Sequence, residues 1–184
     1  HFTIEDEVIK AEPISTYQVK GGMMYNVNDD LNVFFNTGLV EKAPIMDNVI
    51  YFDGTVASDP ANEKFLHNEF GVNYRFGKLG INASAYNTDW QDRNLTKSVT
   101  TGQGDSGDTD VIFLTGVNQK HSGVELETNY MVNDMLDLMF VASFGNWKFD
   151  GDANGNYQET EYNSEGQAIG YTTTEYAYAL DGLY

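Results

Sequence analysis

The stretch EFGVNYRFGKLGINASAY, Glu69–Tyr86, decides how this chain folds. Phe70, Val72, Tyr74 and Phe76 interleave with Glu69, Gly71, Asn73 and Arg75. Successive side chains of a β-strand point to opposite faces, so the segment has one apolar and one polar face. After Gly77 and Lys78 the alternation resumes, with Leu79, Ile81, Ala83 and Ala85 against Gly80, Asn82, Ser84 and Tyr86. Two alternating runs joined by two residues read as a β-hairpin.

The layout occurs twice more, around VNDDLN (Val27–Asn32) and VNDMLD (Val132–Asp137). A tyrosine lies three residues before each turn's first polar residue: Tyr25, Tyr74 and Tyr130. A leucine opens each return strand: Leu31, Leu79 and Leu136. The alternation predicts strands over about 17–27, 31–39, 65–76, 79–90, 119–132 and 136–149, with a seventh over 171–184. The repeat of roughly 50 residues would suit a propeller blade, but a blade needs four strands per period and this period holds two. Between hairpins lie three long connections rich in Gly, Asp, Asn, Thr and Ser: Val40–Asn62, Asp92–Val117 and Asp150–Gly170. Connections of this length are expected to be functional loops.

Short turns at one end, long acidic connections at the other, and strands of about ten residues with one apolar face describe an all-β, antiparallel, up-and-down transmembrane barrel segment. The repeated tyrosine fits it, because an apolar ring with a hydroxyl tip settles at a membrane interface. Phe70, Val72, Leu126, Leu138 and Phe140 are expected to meet lipid, and Glu69, Asn73, Arg75, Glu125, Glu127 and Asn129 a wet lumen. Alternation alone also fits a soluble β-sandwich, which leaves the one-sided placement of the long connections unexplained.

Composition narrows the function. The 184 residues carry a formal charge of −18, which argues against nucleic acid as a partner, since phosphate needs Lys and Arg. There is no cysteine, hence no disulfide framework or thiolate chemistry. The 12 Tyr and 11 Phe mark a folding chain, because disordered acidic chains are poor in aromatics. The opening HFTIEDEVIK has neither an initiator Met nor a basic leader, so a processed or excised piece of a longer protein is expected.

At this point a family resemblance enters. The segment NEKFLHNEFGVNYRF with LGINASAYNTDWQDR (Asn62–Arg93), then GVNQKHSGVELETNYMVNDMLDLMFVASFGNW (Gly116–Trp147), resembles the barrel of TonB-dependent outer-membrane receptors. Tyr86, Thr88, Asp89 and Asp92 match a strand end of that family, and Ser122–Glu127 match a following strand. VFFNTGLVEKAP (Val33–Pro44) looks like an earlier strand and its loop. The resemblance implies part of a barrel of about 22 strands in a Gram-negative outer membrane, with long loops extracellular and the plug domain lying outside this chain. It implies active import of a scarce solute (siderophore, vitamin, glycan or peptide) and no covalent chemistry. The implied partners are the rest of the barrel and its plug, the energy-transducing protein TonB, outer-membrane lipid and the solute, with a surface lipoprotein as a further candidate. A passive porin and a soluble calcium-stabilised β-protein, such as a secreted carbohydrate-binding module, are the competing readings.

One local motif points to a cation. DGDANGNYQETE, Asp150–Glu161, fits the calcium-loop pattern D-x-[DN]-x-[DN]-G-x5-E. Asp150, Asp152, Asn154, Asn156, Gln158 and Glu161 would supply the hard oxygens that Ca²⁺ prefers. The flanks read as strands, so a helical calcium sensor is not expected. His1, His67 and His121 are isolated in sequence, without zinc-pair spacing. Tyr51, Phe52, Phe113, Tyr157, Tyr162 and Tyr171 could form a substrate vestibule in the loops.

Overall fold

A computed structural model describes residues 2–4, 7–51, 54–58, 60–101 and 108–183. A short hairpin, β1 (Phe2–Ile4) and β2 (Glu7–Ile9), forms a separate two-stranded sheet. The main sheet contains β3 (Gln18–Asn26), β4 (Leu31–Lys42), β5 (Glu63–Phe76), β6 (Leu79–Thr101), β7 (Asp108–Asn133), β8 (Leu136–Phe149), β9 (Ala153–Tyr162) and β10 (Ala168–Tyr178). All pairings are antiparallel and β3 to β8 follow one another in sequence order, an up-and-down meander. The sheet is open, with β3 and β8 at the edges of its lower half.

Each tight turn has a local cause. Asn28 Oδ1 accepts from the amides of Asp30 and Leu31, both at 2.9 Å. Asn133 Oδ1 accepts from the Met135 amide at 2.9 Å. Gly77 adopts φ +57°, a conformation glycine reaches without Cβ strain. The hairpin order puts these three turns at one end of the sheet.

The register gives the repeated tyrosines their common purpose. Tyr25 pairs with Val33, which pairs with Val72, and Tyr74 lies two residues further down β5. Tyr74 pairs with Ile81, which pairs with Thr128, and Tyr130 lies two residues further down β7. A drop of two residues for every two strands is an incline of about 35° at 3.3 Å per residue and 4.8 Å per strand. Barrel strands tilt by about 35–45°, so the incline returns the three rings to one level. At the other end, Lys64, Asp89, Lys120 and Lys148 form an outward charged collar, where Lys120 Nζ meets Asp150 Oδ2 at 2.7 Å. From Lys120 to Tyr130 the strand is about 33 Å long, which at a tilt of about 35–40° spans about 25–27 Å, close to the height of an outer-membrane apolar band. Within it most of the large outward residues are exposed, including Phe70, Val124, Leu138, Phe140 and Phe144, while Val72 and Leu126 are half-buried.

Above the collar the structure corrects the sequence reading. Asp92–Val117 is not a loop, because β6 and β7 run on as a paired ribbon up to Thr101 and Asp108. Asp150–Gly170 is not a loop either: β9 pairs with β7, and β10 covers β9. Loss of lipid is the physical reason. Above the membrane, polar β-branched residues such as Thr96 and Thr172–Thr174 satisfy a strand without the strict alternation that lipid imposes. Bulges mark the change, at Asp92 (φ +55°) and where three residues of β7, 116–118, face four residues, 150–153, of the neighbouring strand. The connection after β4 carries a 3₁₀ turn (Met46–Asn48) and a bridge between Ile50 and Val56. The buried apolar residues Val49, Ile50, Phe113, Val117 and Ala153 all lie in this upper region. The lower sheet therefore leaves its outward face to lipid and its inward face to the lumen.

Candidate functional site

The inward face is layered, and the register fixes the layers. Lowest is an asparagine ladder: Asn26, Asn32, Asn73 and Asn82 stand opposite one another, with Glu127 next. Asn73 Nδ2 donates to Asn32 Oδ1 at 2.8 Å, and Asn82 Nδ2 donates to Asn73 Oδ1 at 2.6 Å. An amide both donates and accepts, so the row satisfies itself and still offers hydrogen bonds to water.

In the middle, glycines let rings lie flat on the wall. A Cβ on Gly71 would strike the Phe34 ring, and one on Gly145 would strike the Trp147 indole. A Cβ on Gly123 would come within 2.7 Å of the Tyr86 hydroxyl. Trp147 Nε1 donates to that hydroxyl at 3.1 Å, so the two rings meet across β7. Just above run His67, Thr88 and His121, each opposite the next, with Trp147 beyond. His67 Nδ1 and Thr88 Oγ1 are 2.8 Å apart. The two histidines, far apart in sequence, thus share one inward row two strands apart.

The top layer clamps the wall to the strands above the charged collar. Glu63 is 2% exposed and accepts from Trp90 Nε1 (3.2 Å), the Asn94 amide (3.3 Å) and Lys42 Nζ (3.3 Å). Arg93 lies 4.2 Å from the centre of the Trp90 ring and donates to Gln119 Oε1 at 2.6 Å. Higher still, buried Asp110 accepts from the Tyr157 hydroxyl and from the Thr160 amide at 3.2 Å. Its hydrogen bond, followed by burial, pushes the Tyr157 phenol up to about 12.

The six predicted calcium donors do not converge. Asp150 pairs with Lys120, and Asp152 Oδ1 accepts from the amides of Leu180 (3.1 Å) and Asp181 (3.3 Å). Asn154, Asn156 and Gln158 sit along β9, where Gln158 is buried and donates to Thr173 Oγ1 at 3.3 Å. Glu161 accepts from the Thr172 hydroxyl. Nine residues of extended chain put Glu161 about 30 Å from Asp152. Among the described residues no group of three His, Cys, Asp or Glu could hold a metal ion. Strand pairing stretches a motif that a calcium site would curl, and the aspartates instead brace the β8–β9 joint.

Of the vestibule aromatics, Phe113 is core, Tyr157 is tied to Asp110 and Tyr162 is partly exposed. Phe52 lies outside the described residues, as does the Tyr171 side chain. The Tyr86–Trp147 contact and the Glu63 clamp escaped the sequence reading. The only hint of either was a Gly on the polar face of a strand next to an aromatic-bearing one.

Residues 13–183 match the family model described as TonB dependent receptor-like, β-barrel. The chain belongs to the TonB-dependent receptor β-barrel family. Neither the curated proteins nor the solved structures hold a match to it. Members of this family are receptors and transporters of the Gram-negative outer membrane, and the TonB-dependent receptor barrel accounts for the open sheet, the tyrosine level and the charged collar together.

Proposed function

We propose that this chain is a stretch of barrel wall in a TonB-dependent importer, with the β6–β7 and β9–β10 ribbons on the cell surface and the three tight turns in the periplasm. The observation that carries the reading is the level of Tyr25, Tyr74 and Tyr130 set about 25 Å below the charged collar. Further strands close the barrel, since open sheet edges cannot lie in lipid. A plug domain occludes the lumen, TonB supplies the energy, and a small solute passes the layered wall. A surface lipoprotein that covers the extracellular ribbons would complete the set of partners.

Orientation is directly testable, because the chain has no cysteine of its own. Single cysteines replace Glu165, in the exposed β9–β10 turn, and Asp134, in the β7–β8 turn, of the complete receptor in intact cells. A membrane-impermeant maleimide is expected to label the first at once and the second only after the outer membrane is opened. Labelling of Asp134→Cys in intact cells would reverse the topology. Uptake that persists without TonB would replace the importer with a passive pore.

A further inference from the structure

We infer that the Tyr86–Trp147 shelf is a stacking site for a neutral sugar ring. This inference rests on the import reading and names its solute class. The shelf is built rather than incidental. Gly123 and Gly145 remove the side chains that would hold the rings off the wall, and the Trp147 Nε1–Tyr86 hydroxyl bond at 3.1 Å ties the two side chains together. Trp147 remains 48% exposed, on the inward row that also carries His67, Thr88 and His121. The Trp147 ring is thus held open towards the lumen beside the half-buried Tyr86 ring, at the level a solute meets on entering from outside.

The chemistry around the shelf selects the ligand. An aromatic face carries negative quadrupole density and attracts the polarised C–H face of a pyranose. The sugar's rim of hydroxyls needs both donors and acceptors, and a recess lined by His67, Thr88, His121 and Glu125 beside Tyr86 supplies both. Charge disfavours an anion. Glu69 stands directly opposite Tyr86 and Glu125 lies one row below it, both on the same face, and Arg93 is engaged by Gln119 and the Trp90 ring. A phosphate or an anionic iron chelate at Tyr86 would meet these carboxylates first, with Lys20, on the His67 row, three strands away on β3, whereas an uncharged polyhydroxylated ring meets none of that repulsion. A purely apolar solute would strip water from the His121 and Glu125 side chains without replacing its hydrogen bonds.

The test uses the complete receptor purified in detergent. Maltohexaose, cellohexaose, laminarihexaose and xylohexaose are titrated singly, with tryptophan fluorescence and calorimetry as readouts. At least one is expected to bind and to alter Trp emission. Trp147→Ala is expected to weaken that sugar about tenfold, and Trp147→Phe, which keeps a ring over Gly145, to retain most of the affinity. Unchanged heat-modifiable migration in a gel shows that the variants are folded. Absence of binding by all four sugars, or equal affinity in the wild type and Trp147→Ala, would overturn the inference. Binding to purified protein does not involve TonB. Sugar binding that follows Trp147, together with TonB-independent uptake, would therefore fault the import reading and leave the shelf standing.

Discussion

Removal of the Glu63 carboxylate should loosen the end of the wall above the charged collar while leaving the membrane half intact. Glu63 is buried, and its two oxygens serve the Trp90 indole, the Asn94 amide and Lys42. Glu63→Ala strands the first two donors, and each buried unsatisfied donor costs about 1–3 kcal/mol. Lys42 is 60% exposed, so water replaces its partner and its share is about 0–1 kcal/mol. The sum is about 2–7 kcal/mol, confined to the region where β5 and β6 leave the membrane. Glu63→Gln keeps one acceptor and should cost less than Glu63→Ala, while Lys42→Met should cost about 1 kcal/mol or less. Hydrogen exchange of the complete receptor in detergent reads this locally. The amides of residues 92–101 should exchange faster in Glu63→Ala, with those of 80–88 unchanged. If Lys42→Met matched Glu63→Ala, the stability would come from the surface ion pair, and the buried-acceptor account would be refuted.

Other expectations follow from the same geometry. Leu126 lies on the outward row with Val72, Ala83 and Ala142, so Leu126→Arg should cost about 2–4 kcal/mol in reversible unfolding into lipid; no change would mean that this face is not in lipid. The Tyr157 phenol is raised from about 10 to about 12, so its contribution is fully present below pH 10 and disappears as pH rises through about 12. Alkaline titration should therefore show a late tyrosinate absorbance step that Tyr157→Phe removes. Calcium titration of the receptor should show no heat that Asp152→Ala abolishes, because Asp152 is engaged by backbone amides far from Glu161; a lost heat would show that β9 can curl around the ion.

Much of the membrane half is legible in the sequence because its cause is local. Lipid on one face and water on the other impose a period of two, and Phe70–Phe76 and Leu79–Ala85 display it whatever their neighbours are. The tight turns are equally local, since Asn28 and Gly77 act within a few residues of themselves. Above the collar that pressure is gone, and polar strands such as β9 read as loops and even as a calcium motif. Only pairing with β7 and β10 reveals them. The resemblance to TonB-dependent receptors rested on the order of the membrane strands, so it survived that error. What tertiary structure alone decided is register. The two-residue drop that levels the tyrosines, the row that brings His67 to His121, and the meeting of Tyr86 and Trp147, 61 residues apart, all depend on how strands slide against one another. A strand's own alternation is unchanged by a slide of two residues, so it cannot encode which residues meet across the sheet.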